Sequence, residues 1–474
     1  MARLLFLQNI DYEFLGPMYI SAMVKEHGHN CELHIGQTLG DFQTFIERFK
    51  PDLVAFSIMS GSHGWAREMA RQVKAHFNIK NIFGGAHPTF FPEFIDEEGI
   101  DYLIRGEGEE AMLEILDRID NEEDLENIPN LSFKKYGKAI HNPLRNLRGE
   151  VDDYPIPDRT LYQALGGSYG HVRNVITSRG CPFHCSFCFE DAMRELYKGK
   201  GKYVRIREIA PVIAECKKLT AETDAQVIYF ADDVFGMKKE WLYDFLEVYR
   251  REVNVPFICL VRADIVASDE RYAQRLADAG CRSVFFGVES GNEKLRNDVL
   301  VKQLTNEQII RAATLLHNAG IKFRTYNIVG LPDETLQDAF STVKMNIQIK
   351  ADYPWCSIFS PFPGTALTDY AFAKGYLSPT FEYEDLSKSF FLDSQLQIAN
   401  IRPMQNLQKF FQTAVLWPWT FGLIKKLIHL PPNIFFRAWF GFVYFYVYVK
   451  SEQRSVLTTL RFAIKNYRHV LAKE

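Results

Sequence analysis

The sequence is poor in the features that mark membrane-spanning, nucleic-acid-binding and secreted chains. Its longest uninterrupted apolar run, Ala438 to Val449, is too short for a bilayer span, which needs about 20 residues. There is no long basic block and the net charge is only −4, so composition leaves no footprint for nucleic acid. No Gly-x-Gly-x-x-Gly follows the first apolar run, Leu4 to Leu7, and a dinucleotide is therefore unsupported. Nothing at the N-terminus resembles a secretory signal. The eight cysteines are not set out as a disulfide framework, and a reducing, cytoplasmic setting is expected. The first 130 residues hold a single cysteine, Cys31, and residues 394–451 hold no Asp or Glu.

Three of the cysteines do stand together: Cys181, Cys185 and Cys188, in Gly180-Cys181-Pro182-Phe183-His184-Cys185-Ser186-Phe187-Cys188. Three thiolates are one fewer than hold an ordinary cubane iron–sulfur cluster, so one iron would be left open to an outside molecule. Structural zinc asks instead for two close pairs or for Cys with His. Here the remaining cysteines lie singly at 31, 216, 259, 281 and 356, and His184 sits inside the triplet, where it closes a tetrahedron poorly. Ligand softness and number both favour a cluster.

Downstream, short β-rich runs alternate with helical stretches: Asn174 to Ser178, Val227 to Phe230, Phe257 to Val261, Ser283 to Val288, Phe323 to Val329 and Cys356 to Phe359. Six strand–helix units imply parallel strands with crossover helices, an open partial (β/α)6 barrel. The triplet falls in the loop after the first barrel strand, at the edge where such folds place ligands.

The three-then-two spacing, with an aromatic residue before the last Cys, resembles the radical S-adenosylmethionine (radical SAM) superfamily. The resemblance implies a 4Fe-4S cluster on Cys181, Cys185 and Cys188 whose open iron chelates S-adenosylmethionine. Reductive cleavage would then give a 5'-deoxyadenosyl radical that abstracts hydrogen from substrate, with electrons from a low-potential donor such as flavodoxin or ferredoxin. The implied cofactor-binding residues lie at successive strand ends: Phe187 in the triplet, Asp232 and Asp233 after the second strand, Arg262 after the third, Glu289 and Ser290 after the fourth, Arg324 and Gly330 on the fifth. Arg262 and Arg324 are candidates for the methionine carboxylate, because a guanidinium forks onto a carboxylate. Strand-end acids also cap helices, and in Gly330-Leu331-Pro332-Asp333-Glu334-Thr335 either Asp333 or Thr335 can cap the next helix. No catalytic residue is assigned.

The first 130 residues form a separate α/β unit. Apolar runs at Leu4 to Leu7, Cys31 to Ile35, Leu53 to Ile58, Asn81 to Phe83 and Tyr102 to Ile104 alternate with helical segments, the rhythm of a doubly wound, flavodoxin-like sheet. Pro51 to Ser57, Gly84-Gly85-Ala86-His87 and Arg105-Gly106-Glu107 resemble the cobalamin-binding domain that precedes the barrel in one branch of the superfamily. That branch includes anaerobic magnesium-protoporphyrin monomethyl ester cyclase and cobalamin-dependent methyltransferases. It implies cobalamin beside Ser57, Gly84, Gly85, His87, Gly106 and Glu107. Glu13 stands where cobalamin mutases carry a histidine for cobalt, and a protein imidazole on the metal is not expected. Methylthiotransferases carry three N-terminal cysteines for a second cluster, which the lone Cys31 excludes.

The expected boundaries are a cobalamin-binding-like domain over 1–130, a linker over 131–165 containing Tyr154-Pro155-Ile156-Pro157, a radical SAM barrel over 166–375 and a helical, basic, aromatic region over 376–474. The last of these fits a surface on anionic lipid at the inner face of a membrane, or helices packed on the barrel; either suits a large apolar substrate. The expected reaction is C-methylation of an unactivated carbon of an apolar or lipid-like substrate. Oxidative cyclisation is the alternative enzyme reading. A non-catalytic cobalamin or iron–sulfur sensor at the membrane surface is the alternative of another class, and the open iron argues against it.

Overall fold

Successive residues of the first strands pack to opposite sides. In β1 (Arg3–Gln8), Leu4 and Phe6 join one apolar cluster, while Leu5 and Leu7 join another. In β3 (Leu53–Ser57), Leu53 and Ala55 alternate with Val54 and Phe56 in the same way. A strand buried on both faces needs helices on both faces, the condition of a doubly wound sheet. With β2 (Asn30–Ile35), β4 (Lys80–Gly84) and β5 (Tyr102–Ile104), these strands form a parallel array in the order β2-β1-β3-β4-β5.

The sheet continues into β6 (Leu131–Lys135) and β7 (Lys138–His141), both antiparallel. Residues 131–141, expected in the linker, are thus part of the first sheet. Leu131 and Phe133 point into its core, and Tyr136 and Gly137 turn the chain with φ of 52° and 74°, the backbone of a tight hairpin.

The structure is a computed structural model that describes residues 1–163, 171–387, 389–451, 456, 457 and 460. The chain divides into two compact units. The first holds residues 1–163 together with Leu196–Lys202, a short segment expected in the barrel that groups with the first unit instead. Two hydrogen bonds tie it there: Leu147 N–H donates to Lys200 O, and the Lys200 side-chain Nζ donates to Leu144 O.

The second unit is built on β8 (Val172–Val175), a small antiparallel pair β9 (Ser178–Arg179) and β10 (Arg205–Ile206), then β11 (Val227–Phe230), β12 (Phe257–Leu260), β13 (Cys281–Glu289), β14 (Lys322–Val329) and β15 (Tyr353–Ile358). The six strands β8-β11-β12-β13-β14-β15 are all parallel and neighbours in chain order, as an open (β/α)6 barrel requires. Ile228, Phe230, Val284, Phe286 and Phe323 pack under the crossover helices. The alternate residues Val227, Tyr229, Ile258, Phe285 and Tyr326 make a separate cluster on the face turned away from those helices.

Helices Ile401–Leu416, Phe421–Leu427 and Ile434–Ser451 follow. The last places Val443 and Val447 against Tyr353, so one face packs on the barrel sheet. Among the described residues, no helix is long and apolar enough to cross a membrane.

Candidate functional site

The cysteine loop is held on every side. Gly180 takes φ of 82°, and a Cβ there would stand 2.6 Å from Tyr203 O, so glycine is required at the turn into Cys181. Arg194, on the helix Phe189–Leu196, donates to the carbonyls of Cys181 and Phe183 at 3.3 and 3.2 Å. Ser186 N–H donates to Leu300 O at 3.0 Å and its hydroxyl to Val299 O at 2.6 Å, while Leu367 N–H donates to Ser186 O at 2.8 Å. Loops after β13 and β15 therefore clamp the triplet.

Burial raises the thiols of Cys181 to about 11 and Cys188 to about 12, with neighbouring carboxylates and the other thiols of the triplet adding to it. The other five cysteines are buried, Cys31 in the core of the first unit and Cys216, Cys259, Cys281 and Cys356 in that of the second. Three soft donors on one short loop, with no fourth nearby, fit a cluster that leaves one iron free. Among the described residues no three Cys, His, Asp or Glu side chains stand gathered at metal-ligand separation; the donor set and the clamped loop carry the fit.

Asp232, at the end of β11, faces the strand that leads into this loop. Its Oδ1 accepts from Thr177 N–H and hydroxyl, each at 2.9 Å, and from the Ser178 hydroxyl at 2.6 Å. Burial raises its carboxyl to about 6. Asp233 is open to solvent on one side, yet the protein crowding its carboxyl raises it, and Glu190 and Asp232 push further in the same direction. Glu190 in turn accepts from Tyr203 Oη at 2.8 Å.

Glu289 ends β13 at a register shift, in a left-handed backbone with φ of 59°. Strain of this kind at a buried non-glycine residue collects at functional sites. Its carboxylate pairs with Lys302 Nζ at 2.7 Å, both side chains being buried. A Cβ at Gly287 would collide with that carboxylate. Ser290 is fully buried; its carbonyl accepts from Arg296 and its hydroxyl from Asn292 N–H. Lys302 also approaches the half-buried Phe187 ring, 5.9 Å from its centroid.

Gly330 takes φ of 78°. Glu334 Oε2 accepts from the Gly330 and Leu331 N–H groups at 2.6 and 3.1 Å. Burial lifts the Glu334 carboxyl to about 8, and Oε1 has no hydrogen-bond partner among the described residues. Sequence reading passed over Glu334, Lys302 and Glu190; the one signal for Glu334 was an acid placed to reach back across a Gly-x-Pro turn.

The two arginines are engaged elsewhere. Arg262 forks onto Asp264 at 3.0 and 3.2 Å, donates to Lys302 O, and stacks 3.6 Å from the Phe183 ring centroid. It braces the cysteine loop. Arg324 lies five residues before the end of β14, about 16 Å from the ligand edge at strand rise. Its guanidinium sits between Phe285 and Trp355, 4.2 and 4.9 Å from their centroids, and donates to the Ser451 hydroxyl. Arg324, expected at a methionine carboxylate, is thus placed near the start of β14 and away from the strand end.

In the first unit, Ser57 is exposed at the end of β3, and a Cβ on neighbouring Gly84 would meet nothing within 4 Å. That open edge suits the nucleotide tail of cobalamin. Gly85, with φ of 101°, brings the backbone so close that a Cβ would stand 2.5 Å from Ile58 O. His87 is fully buried, its Nδ1 3.0 Å from Ser60 Oγ and its ring stacked on His63 at 4.4 Å. Burial, and after it His63, lowers it to about 3. It supports the turn from beneath and does not line the open edge. At the end of β5, Gly106 takes φ of 77°, and its N–H donates to Thr89 Oγ1 at 2.9 Å. Glu107 N–H donates to Tyr197 Oη at 2.7 Å, and its carbonyl accepts from Asn130. Glu13 is buried.

Residues 175–345 match the Radical SAM superfamily and residues 10–116 match the B12 binding domain. The chain is 32% identical over 376 residues to an uncharacterized methyltransferase of Pyrococcus horikoshii, covering 77% of this chain and 79% of that protein. It is 25% identical over 435 residues to the anaerobic magnesium-protoporphyrin IX monomethyl ester cyclase of Rubrivivax gelatinosus, covering 86% of this chain and 75% of the cyclase. The solved structure of TsrM, a radical S-adenosylmethionine methyltransferase from Kitasatospora setae, shares the fold with a TM-score of 0.70 at 17% identity, over 89% of this chain and 90% of TsrM. A clamped three-cysteine loop on a parallel half-barrel, preceded by a five-strand parallel array with an open glycine edge, agrees with these matches. The chain belongs to the radical SAM superfamily, as an enzyme of the branch in which a B12-binding domain precedes the radical SAM core.

Proposed function

We propose that the protein is a cobalamin-dependent radical SAM methyltransferase that acts on an unactivated carbon of an apolar, lipid-like small molecule. The observation that carries this is the donor set, Cys181, Cys185 and Cys188 on one clamped loop, in a chain that also holds a cobalamin-type sheet. The relative at 32% identity is described as a methyltransferase, which favours methyl transfer. The apolar cluster of Tyr229, Phe285 and Tyr326, on the face of the barrel sheet turned away from the crossover helices, suits an apolar substrate.

Bound at these sites, the cluster with S-adenosylmethionine supplies a hydrogen-abstracting radical, and cobalamin supplies the methyl group. The protein's own residues hold and orient. Asp232 fixes the strand entering the cysteine loop, and Arg262 and Arg194 brace the loop itself. Phe187, Asp233, Glu289, Ser290 and the Gly330 backbone would hold S-adenosylmethionine. Lys302 pairs with Glu289, giving the buried carboxylate a cation partner at 2.7 Å. Glu334 fixes the peptide N–H groups beside Gly330, leaving that backbone rigid against a flat base. In the first unit Ser57, Gly84, Gly85, Gly106 and Glu107 would take the cobalamin tail. A low-potential donor of the flavodoxin or ferredoxin kind would supply electrons.

Anaerobic reconstituted protein, given dithionite and S-adenosylmethionine deuterated in its methyl group, should form 5'-deoxyadenosine and retain corrinoid. Cys185→Ala should reduce deoxyadenosine to background. Equal amounts from both proteins would remove the radical enzyme. The match to the cyclase over 86% of the chain favours a second reading, oxidative cyclisation. Deoxyadenosine formed with substrate consumed but no deuteriomethyl in the product would favour it over methylation.

A further inference from the structure

The helix Ile434–Ser451 has two apolar faces. One buries Phe440, Val443 and Val447. The other, at helical spacing, turns Phe435, Trp439 and Phe442 to solvent with exposures of 79%, 41% and 64%. Ile434 at 72%, and on the preceding segment Trp419 at 83% and Leu423 at 60%, are exposed as well. A helix lying on a protein core should present charge outward; this one presents rings. Exposed side chains of this size, grouped on consecutive helices, mark a surface that is covered in use.

Charge selects what covers it. From residue 394 to 451 there is no Asp or Glu, whereas Lys426, Arg437 and Lys450 are exposed beside the apolar residues. A second copy meeting this face about a two-fold axis would bring Lys426 and Lys450 to like charges, the exposed Asp393 standing in the pocket of Arg437. An anionic bilayer surface meets both needs, with phosphates for the cations and an acyl boundary for the rings. Trp439 is already pinned by its indole N–H to Thr413 Oγ1 at 2.8 Å, so its ring is held at that surface without further ordering. We infer that the outer face of Phe421–Leu427 and Ile434–Ser451 docks this protein in the plane of an anionic membrane surface, without crossing it. This stands independently of the substrate proposed above.

The full chain should sediment with vesicles of equal parts phosphatidylglycerol and phosphatidylcholine, and bind them about tenfold or more tighter than pure phosphatidylcholine. Salt should weaken the binding. The double variant Phe435→Ser/Phe442→Ser should lose about tenfold in affinity while keeping its melting temperature and its 5'-deoxyadenosine formation. Lys426→Gln/Arg437→Gln should lose most of the salt dependence. Absence of sedimentation with anionic vesicles, or equal sedimentation of the Phe double variant, overturns the inference. A dimer seen by light scattering that the same double variant dissolves, without vesicle binding, would overturn it in favour of a subunit interface.

Discussion

Glu334 shows how much the identity of one buried group can decide. Its carboxyl is lifted from 4.5 to about 8, by burial foremost, with Asp338 adding to the rise and two backbone N–H groups opposing it. The fold therefore favours the protonated form. That stabilisation is fully present below about pH 4.5 and is lost as pH rises through 8, a few kcal/mol at the limit. Glu334→Gln keeps an acceptor oxygen for Gly330 N–H and removes the titration. Melting temperatures of the protein without cofactors should fall between about pH 5 and pH 8 in the natural chain and be flatter over that window in the variant. Parallel curves would show that Glu334 is not the titrating group. Asp232 acts with the same sign over a lower window, from 3.8 to about 6. The titration of such residues was illegible in the sequence, even where the residue itself, as with Asp232, was singled out, because it comes from burial and from backbone groups brought near by the loop. The cysteine triplet was legible because its chemistry is written in adjacent residues.

Among the elements, the capping of the helix Leu336–Gln348 separates two candidates that the sequence left equal. Thr335 is the cap: its hydroxyl accepts from Asp338 N–H at 3.2 Å, and its own N–H donates to Asp338 Oδ2 at 2.9 Å. Asp333 lies outside the helix with φ of 59° and accepts from the hydroxyls of Tyr370 and Tyr376. Thr335→Ala should cost about 1 kcal/mol in denaturant unfolding. Asp333→Asn keeps the left-handed tolerance and an acceptor for the tyrosines, and should cost less than half as much. The reverse ranking would contradict the cap assignment. Strand identity was readable at this scale because β-rich runs such as Val227–Phe230 end in polar turns. The β6–β7 hairpin was not, since Leu131 and Phe133 alternate over too few residues and the Tyr136-Gly137 turn is easily taken for a linker. Arg324 was proposed for a different reason: its residue type suited a carboxylate, although the strand expected over Phe323 to Val329, and observed from Lys322, already put it near the strand's start.

Across the whole chain, the first unit packs two cores, one on each side of its sheet, and the second packs its own around the six-stranded sheet. The sequence, read as two α/β units joined by a Pro-rich linker, did not show that Leu196–Lys202 groups with the first unit. Units with separate cores unfold as separate cooperative transitions when neither core depends on the other. A ligand that binds only one folded unit stabilises that unit by mass action, roughly 2.7 kcal/mol at a hundredfold excess over its dissociation constant. For units of this size, that corresponds to about 5–10 °C. Calorimetry should therefore resolve two transitions. Hydroxocobalamin should raise the one assigned to the first unit. Chelation of the iron should lower the one assigned to the second. Ser57→Trp, placed at the exposed end of β3, should remove the cobalamin shift while leaving the response to chelation intact. A single transition moved equally by both treatments would mean that the two cores unfold as one, and that the cofactor sites are coupled through folding.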